Sequence, residues 1–488
     1  MKIKENILPL KYEDPFEVYK RVVNTGRHPS LLMESRSGNP AYARNNLVAA
    51  TQALKLSGKN EHFKIEALSE VGRAMLRYFS KEDFPYAANV KITENSIEGI
   101  VERTFDPNLT EFERIRQPNI SYAIRTVLSK FKDIQYGFAG LYGAFTYDFA
   151  RNFENFGDRF SKGGSDDFKL FLPSNILHFD GKKESAEHFQ LEIDGKKDRL
   201  FSAAIMDFKP LPFVEYEDMS FNEYGDLVKI IVDEIKNGRL MQCVISRSYG
   251  VSLQRHPLES YAELRIINPS PYCYFFDFAD DEYLYGASPE LHIKVDGAKI
   301  EIRPIAGTIK RGANALEDFH ARQKLITDPK ELAEHSMLVD LARNDIYRLA
   351  LHNTVAVTDF GTIETYPNLY HLVSGVTGQL RPGVDSIDAL LTTLPAGTLS
   401  GAPKKEAMKM IEELEHSRRN YYGGAVGYLC FNGNCNTGIT IRSIHVITGS
   451  SYVRTGGGIV LLSNPQNEID EIKKKSEKGI AVLGGKRK

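Results

Sequence analysis

Apolar residues along the chain fall into two kinds of pattern: short runs fit for strands, and longer stretches with the three-to-four spacing of amphipathic helices. In the first 205 residues helical spacing covers Phe63 to Tyr78 and Ile120 to Phe131, and strand-like runs cover Gly140 to Tyr147 and Asn175 to Phe179. A charged strip, Asp180 to Arg199, and the segment Phe208-Lys-Pro-Leu-Pro-Phe213 then predict a junction, dividing the chain into domains at 1–215 and 216–488. The second part opens with an amphipathic helix from Tyr224 to Asn237. Strand-like runs follow at Met241 to Val251, Cys273 to Phe278, Glu282 to Gly286, Leu291 to Val295 and Ile300 to Arg303. Successive strands with short turns and no helix between them predict antiparallel pairing, and the helices come later in blocks. The pattern predicts an α+β fold with helices packed on antiparallel sheets.

Composition narrows the function classes. A chain of 488 residues with 42% hydrophobic and 26% charged side chains can bury a large core. A net charge of −2 and a pI near 6.7 give no electrostatic footprint for nucleic acid or an anionic membrane. The N-terminal MKIKENILPLKYED is broken by charges before a signal core can form, and no apolar run approaches a membrane span, so a cytoplasmic location is expected. The four cysteines, Cys243, Cys273, Cys430 and Cys435, have neither zinc-site nor redox spacing and read as reduced thiols.

Two acidic signatures carry the first chemical hint. Glu331-x-x-Glu334 follows Asp328-Pro329, and Glu468-x-x-Glu471 follows Asn464-Pro465. An Asx N-cap with proline at the first helical position starts a helix, and the i, i+3 spacing puts both carboxylates of a pair on one face. Two such faces turned together would offer the hard oxygen ligands that Mg²⁺ takes while it keeps waters and accepts an anionic substrate. Helix capping and surface ion pairing, as between Glu471 and Lys475, account for the same residues equally simply.

Tight glycine turns crowd the C-terminal half: Ala306-Gly-Thr308, Ala396-Gly-Thr-Leu-Ser-Gly-Ala-Pro403, Gly423-Gly424 and Gly456-Gly-Gly458. None fits a dinucleotide or P-loop motif; instead they can bring backbone N–H groups close to a carboxylate. Arg442, in the apolar run Ile439-Thr-Ile-Arg-Ser-Ile444, needs a carboxylate partner from protein or ligand if buried. Lys404 and Lys475 lie in the same half, and His371 alone reads as a core histidine.

With these motifs in order, the sequence resembles the chorismate-utilising enzymes, and within them the branch of the anthranilate synthase large component. The matching stretches are Arg303-Pro-Ile-Ala-Gly-Thr308, Lys330 to Asp340, Arg343-Asn-Asp345, Pro395 to Lys404, Tyr422-Gly-Gly-Ala-Val-Gly-Tyr428 and Glu468-Ile-Asp-Glu471, which together span about 220 to 485. The first domain matches only through Leu32-Met-Glu-Ser35 and Gly140 to Asp148.

The resemblance implies antiparallel sheets packed face to face with helices outside, in two intimately packed domains, the first regulatory or scaffolding and the second chorismate-binding. It implies Mg²⁺ as cofactor, approached most closely by Glu334 and Glu471, with Glu331 and Glu468 acting through its waters. Tyr422, Arg442, Gly456, Gly457 and Lys475 would receive the carboxylates of chorismate, and Gly307, Thr308 and Thr398 would shape the pocket. Glu290 would be the general acid for the departing 4-hydroxyl, and His371 would assist loss of the enolpyruvyl side chain as pyruvate. Tryptophan would bind as a feedback ligand at Glu34, Ser35, Pro271, Tyr272 and Cys273. Here Cys273 replaces the family's methionine, and Arg44-Asn-Asn46 stands where Arg-Tyr-Ser is common.

Two positions discriminate among branches. The branch that adds water at C2 uses a lysine base where this chain has Gln242, which takes no proton at neutral pH; the branch that aminates C4 places a nucleophilic lysine where Ala306 stands. Amination at C2 remains, with ammonia from a separate glutamine amidotransferase small subunit. The expected reaction converts chorismate and ammonia to anthranilate and pyruvate through 2-amino-2-deoxyisochorismate, the first step of tryptophan biosynthesis. A synthase that stops at the aminated intermediate, and an isochorismate or salicylate synthase, are the alternatives.

Overall fold

The structure, a computed structural model, describes residues 1–484 apart from 24, 37–44, 105, 107, 158, 161–162, 202–207 and 367–368. Two sheets grow from one pair of long antiparallel strands, Asn45–Lys59 and Phe168–Asp180. Their register shifts between Ala49 and Leu54. Extra residues of this kind bend and twist a strand, and here the two ends of the pair serve different sheets.

On one sheet Ser30–Glu34 joins the first half of Asn45–Lys59, and the order continues through Tyr272–Asp277, Tyr283–Ser288, Ser443–Ile447, Ser450–Ile459 and Gln242–Ser252. On the other, Phe168–Asp180 passes the order to Gly140–Phe145, Ala425–Cys430, Cys435–Ile439, Leu291–Asp296, Lys299–Ile302 and Leu369–Gln379. Ala356–Thr365 and Ile305–Lys310 both pair with Leu369–Gln379. Every one of these pairings is antiparallel, so the α+β expectation with antiparallel sheets stands.

The sheets meet face to face. Met33, Tyr274, Phe276 and Leu284 from one and Leu141, Ala144, Val426 and Ile293 from the other belong to one buried cluster. Tyr272 crosses the interface: its ring lies 2.7 Å from the position a Cβ on Gly438 would take, and its hydroxyl donates to Asn436 Oδ1 at 3.0 Å. The outer face of the first sheet, through Leu32, Val48, Phe275, Tyr285 and Ile444, is covered by helices Pro15–Val22 and Pro257–Ile267.

The predicted strands after residue 240 and the helices at 120–131 and 224–237 are present with no end shifted by more than three residues. The helix expected over Phe63 to Tyr78 is corrected. His62–Ala67 is a strand and Glu70–Leu76 a shorter helix. Phe63 and Ile65 are buried while Lys64 and Glu66 are half exposed, a period of two; Ser69 then caps a new helix by accepting from Gly72 N at 3.2 Å. Strands from before residue 215 are built into sheets with strands from after it: Ser30–Glu34 lies between Asn45–Lys59 and Tyr272–Asp277, and Gly140–Phe145 pairs with Ala425–Cys430. No helix among the described residues is long and apolar enough to cross a membrane, and all four cysteines are free and buried.

Candidate active site

The two acidic signatures open helices, as their Asx-Pro pairs predict. Helix Pro465–Val482 is capped by Asn464, whose Oδ1 accepts from Gln466 N at 3.0 Å and Asn467 N at 3.3 Å. At helix Pro329–Tyr347 Asp328 Oδ1 accepts from Glu331 N at 3.3 Å. Helix Pro329–Tyr347 packs on Ile305–Lys310 and Leu369–Gln379, and helix Pro465–Val482 on Ser450–Ile459.

Glycines admit the carboxylates to the backbone. Glu331 Oε2 ends 3.1 Å from where a Cβ on Gly307 would stand, and Gly307 itself has φ +87°, a left-handed conformation that favours glycine. Glu468 Oε2 lies 3.2 Å from the corresponding point on Gly457, and Glu334 Oε1 3.8 Å from that on Gly458. Two carboxylates from different helices thus flank adjacent glycines of one strand. Glu471, the fourth, is held by Lys475 at 2.6 Å. Among the described residues no three acidic, imidazole or thiol side chains gather tightly enough to hold an ion by themselves.

The same glycine run shapes the floor. A Cβ on Gly456 would meet Ile245 O at 2.4 Å and the Tyr422 hydroxyl at 2.8 Å, so any side chain there would displace both. Lys475 Nζ donates to Gly456 O at 3.4 Å. Gln242 is buried beside Gly458, its Nε2 2.7 Å from the Cβ point, and its Oε1 has no hydrogen-bond partner among the described residues.

Glu290 is the electrostatic centre. Burial pushes its carboxyl up to about 8, against opposing pulls from Thr398, the Ile305 N–H, Lys475 and Arg442. At neutral pH it therefore holds a proton. The Thr398 hydroxyl lies against it without reaching hydrogen-bond geometry and has no other partner among the described residues. Arg442 adopts φ +53°, unusual for a residue with a side chain. Burial lowers its guanidinium pKa, while Tyr422, Glu471 and Glu290 raise it. No carboxylate of the described residues forms an ion pair with it. His371 Nδ1 shares a hydrogen bond of 2.7 Å with Thr308 Oγ1, and burial with the Arg442 charge holds the imidazole down at about 4, so the ring is neutral.

The structure therefore brings Glu290, Thr398, Arg442, Tyr422, Gly456 and Lys475 into one neighbourhood, with Gly307, Thr308 and His371 beside it and Gln242 next to Gly458. The second predicted group is also gathered, but elsewhere. Glu34, Ser35, Pro271, Tyr272 and Cys273 line a cavity of about 40 Å³ between the two sheets, which is room for a few waters. Glu34 is already engaged, accepting from the Tyr261 hydroxyl at 2.6 Å and from Arg265 Nε at 2.9 Å, and burial pushes the Cys273 thiol up to about 12. Arg44 lies outside the described residues.

One side chain at the site escaped sequence reasoning. Lys478, in a lysine-rich helix end that looks like a solvated face, is half-buried and close enough to Arg442 for the two charges to repel. Its only signal in the sequence is its position three residues after Lys475.

Known proteins resemble the chain in sequence and in fold. The chain belongs to the chorismate binding enzyme family, whose model matches residues 82–480. It is 47% identical over 249 residues to anthranilate synthase component 1 of Pseudomonas aeruginosa, a match covering 51% of this chain and about half, 50%, of that relative. Against anthranilate synthase component 1 of Methanothermobacter thermautotrophicus it is 33% identical over 487 residues, covering 99% of this chain and 93% of the other. Among solved structures, anthranilate synthase component I from Streptococcus pneumoniae TIGR4 superposes with a TM-score of 0.65 at 28% identity, covering 91% of this chain and 93% of that one. The menaquinone-specific isochorismate synthase from Escherichia coli gives 0.69 at 16% identity, covering 99% and 94%, a likeness of fold alone.

Proposed function

We propose that the chain converts chorismate and ammonia to anthranilate and pyruvate through 2-amino-2-deoxyisochorismate, as the large subunit beside a glutamine amidotransferase, in the first step of tryptophan biosynthesis in the cytoplasm. The observation that carries this reading is a buried arginine, Arg442, that forms no ion pair with a carboxylate among the described residues, beside a carboxyl that keeps its proton at neutral pH, Glu290. A substrate with a carboxylate and a leaving hydroxyl uses both.

In this reading Arg442, Lys475, the Tyr422 hydroxyl and the Gly456 N–H receive the carboxylates, and the missing side chain at Gly456 lets the Tyr422 hydroxyl lie close against that backbone. As the C2–N bond forms, both ring double bonds shift, the C4–O bond breaks and Glu290 delivers its proton to the departing hydroxyl, which leaves as water, while the new ammonium nitrogen gives up one proton. The unpartnered Oε1 of Gln242 fits an N–H donor, as ammonia offers. Loss of the C2 proton and cleavage of the C3–O bond then release pyruvate, and neutral His371, held by Thr308, is suited to take a proton in this step.

The site also suits Mg²⁺, because all four helix side chains are hard oxygen donors and two of them flank bare backbone at Gly457 and Gly458. Glu334 and Glu471 would hold the ion, with Glu331 and Glu468 reaching it through water, and when bound it would neutralise and orient the ring carboxylate. Tryptophan as a feedback ligand at Glu34, Ser35, Pro271, Tyr272 and Cys273 belongs to the same proposal. A cavity of about 40 Å³ must open before an indole enters, so weak inhibition is expected. The chain contains no tryptophan, which lets the fluorescence of added tryptophan report its own binding.

The test mixes the purified chain with chorismate, Mg²⁺ and ammonium at a pH no higher than about 8, so that Glu290 can keep its proton, and follows anthranilate fluorescence and pyruvate together. Equal formation of both is expected. Chorismate consumed without pyruvate would favour arrest at the aminated intermediate, and a product formed without ammonium would favour hydroxylation.

A further inference from the structure

A chain of hydrogen bonds runs from the last helix to the backbone of Arg442. Lys478 Nζ donates to Asn268 Oδ1 at 3.0 Å, and Asn268 Nδ2 donates to the Ala287 carbonyl at 3.1 Å. Ala287 N in turn donates to the Arg442 carbonyl at 3.2 Å. Asn268 is buried, and its own N–H closes helix Pro257–Ile267 by donating to Leu264 O at 2.9 Å, so it is fixed at both ends.

Arg442 needs such support. Its left-handed backbone is a strained conformation for a residue with a Cβ, and such conformations persist only where the surroundings hold them. Its guanidinium forms no ion pair with a carboxylate among the described residues, and Glu471 and Glu290 act on it only through their charge. Lys478 also adds a third positive charge, after Lys475 and Arg442, at the edge of a site read as taking a dianion. Burial, and after it repulsion from Arg442, lowers the Lys478 pKa, a cost that an arriving anion relieves.

We propose that Lys478 is a positioning residue for substrate, acting through Asn268 and Ala287 to hold Arg442 in the conformation that receives a carboxylate. This rests on the chorismate reading above. Carried through to Arg442, the free energy of a charge-assisted hydrogen bond of this kind amounts to about tenfold in affinity. The test compares steady-state kinetics of the wild type, K478M, K478R, N268A and the K478M/N268A double variant in the ammonium assay, with thermal unfolding of each.

K478M and N268A should each raise KM for chorismate about tenfold with kcat within about twofold, and K478R should keep the wild-type KM. Because the two residues act in series, the double variant should be no worse than the worse single one. An unchanged KM in K478M, or single effects that multiply in the double variant, would overturn the proposal. So would a KM rise matched by an equal loss of thermal stability that K478R shares, since that marks a merely structural role. An inactive wild type would overturn the proposal together with the functional reading; an active wild type with an indifferent K478M overturns the proposal alone.

Discussion

Glu290 concentrates the site's chemistry in one proton. Its carboxyl at about 8 is neutral where an exposed glutamate would be ionised. As a general acid it works below that pKa, so kcat/KM should fall as pH rises through about 8, a limb that pH–rate profiles detect. E290Q should lose about 10² to 10⁴ in kcat; retention of wild-type turnover would remove the acid role. The same shift has a stability sign. Between the ordinary glutamate value, 4.5, and about 8 the folded state keeps a proton that the unfolded state has lost. Stability therefore declines with rising pH across that window, by up to about 1.4 kcal/mol per pH unit. E290Q should flatten the decline and unfold at a higher temperature than wild type at pH 8. None of this was legible from Ala287-Ser-Pro-Glu290 alone, because the shift comes from burial that only the tertiary fold sets, with Thr398 and the Ile305 N–H pulling the other way.

At the scale of elements, what the sequence could show was local and what it hid was tertiary. Asn464-Pro465 announces a helix because cap and proline act within four residues, and the cap bonds are present as expected. Which side of that helix meets substrate was not readable, since Glu468 and Glu471 differ only in what they face: bare glycine backbone for one, Lys475 for the other. The Phe63 strand was missed because the six-residue strand His62–Ala67 is followed within a few residues by a real helix, and the combined stretch satisfies a helical template. The cap gives an element-scale prediction. N464A should cost about 1 kcal/mol of stability, as lost N-caps do, seen as a lower denaturant midpoint. Because the first turn carries Glu468 and its second Glu471, the variant should also need more Mg²⁺ for half-maximal activity. A lowered midpoint with an unchanged Mg²⁺ dependence would separate the cap from the metal assignment and count against the latter.

For the whole molecule, the division expected near residue 215 follows the linker composition, yet the strands do not respect it. Tyr272–Asp277 is paired on one side by Ser30–Glu34, and Ala425–Cys430 by Gly140–Phe145. A piece comprising residues 216–488 would expose both as long apolar edges, a template for aggregation, and would strip one wall from the cluster that contains Tyr274, Val426 and Leu141. The catalytic half is thus expected not to fold alone. Expressed by itself it should be insoluble or lack a cooperative thermal transition; co-expressed with 1–215 it should recover both solubility and turnover. A soluble, cooperatively unfolding 216–488 fragment would instead mean that the second sheet and its helices hold the site without the shared strands. In that case the role of Asn45–Lys59 and Phe168–Asp180 would reduce to carrying the pocket of Glu34 and Tyr272 beside an independent enzyme.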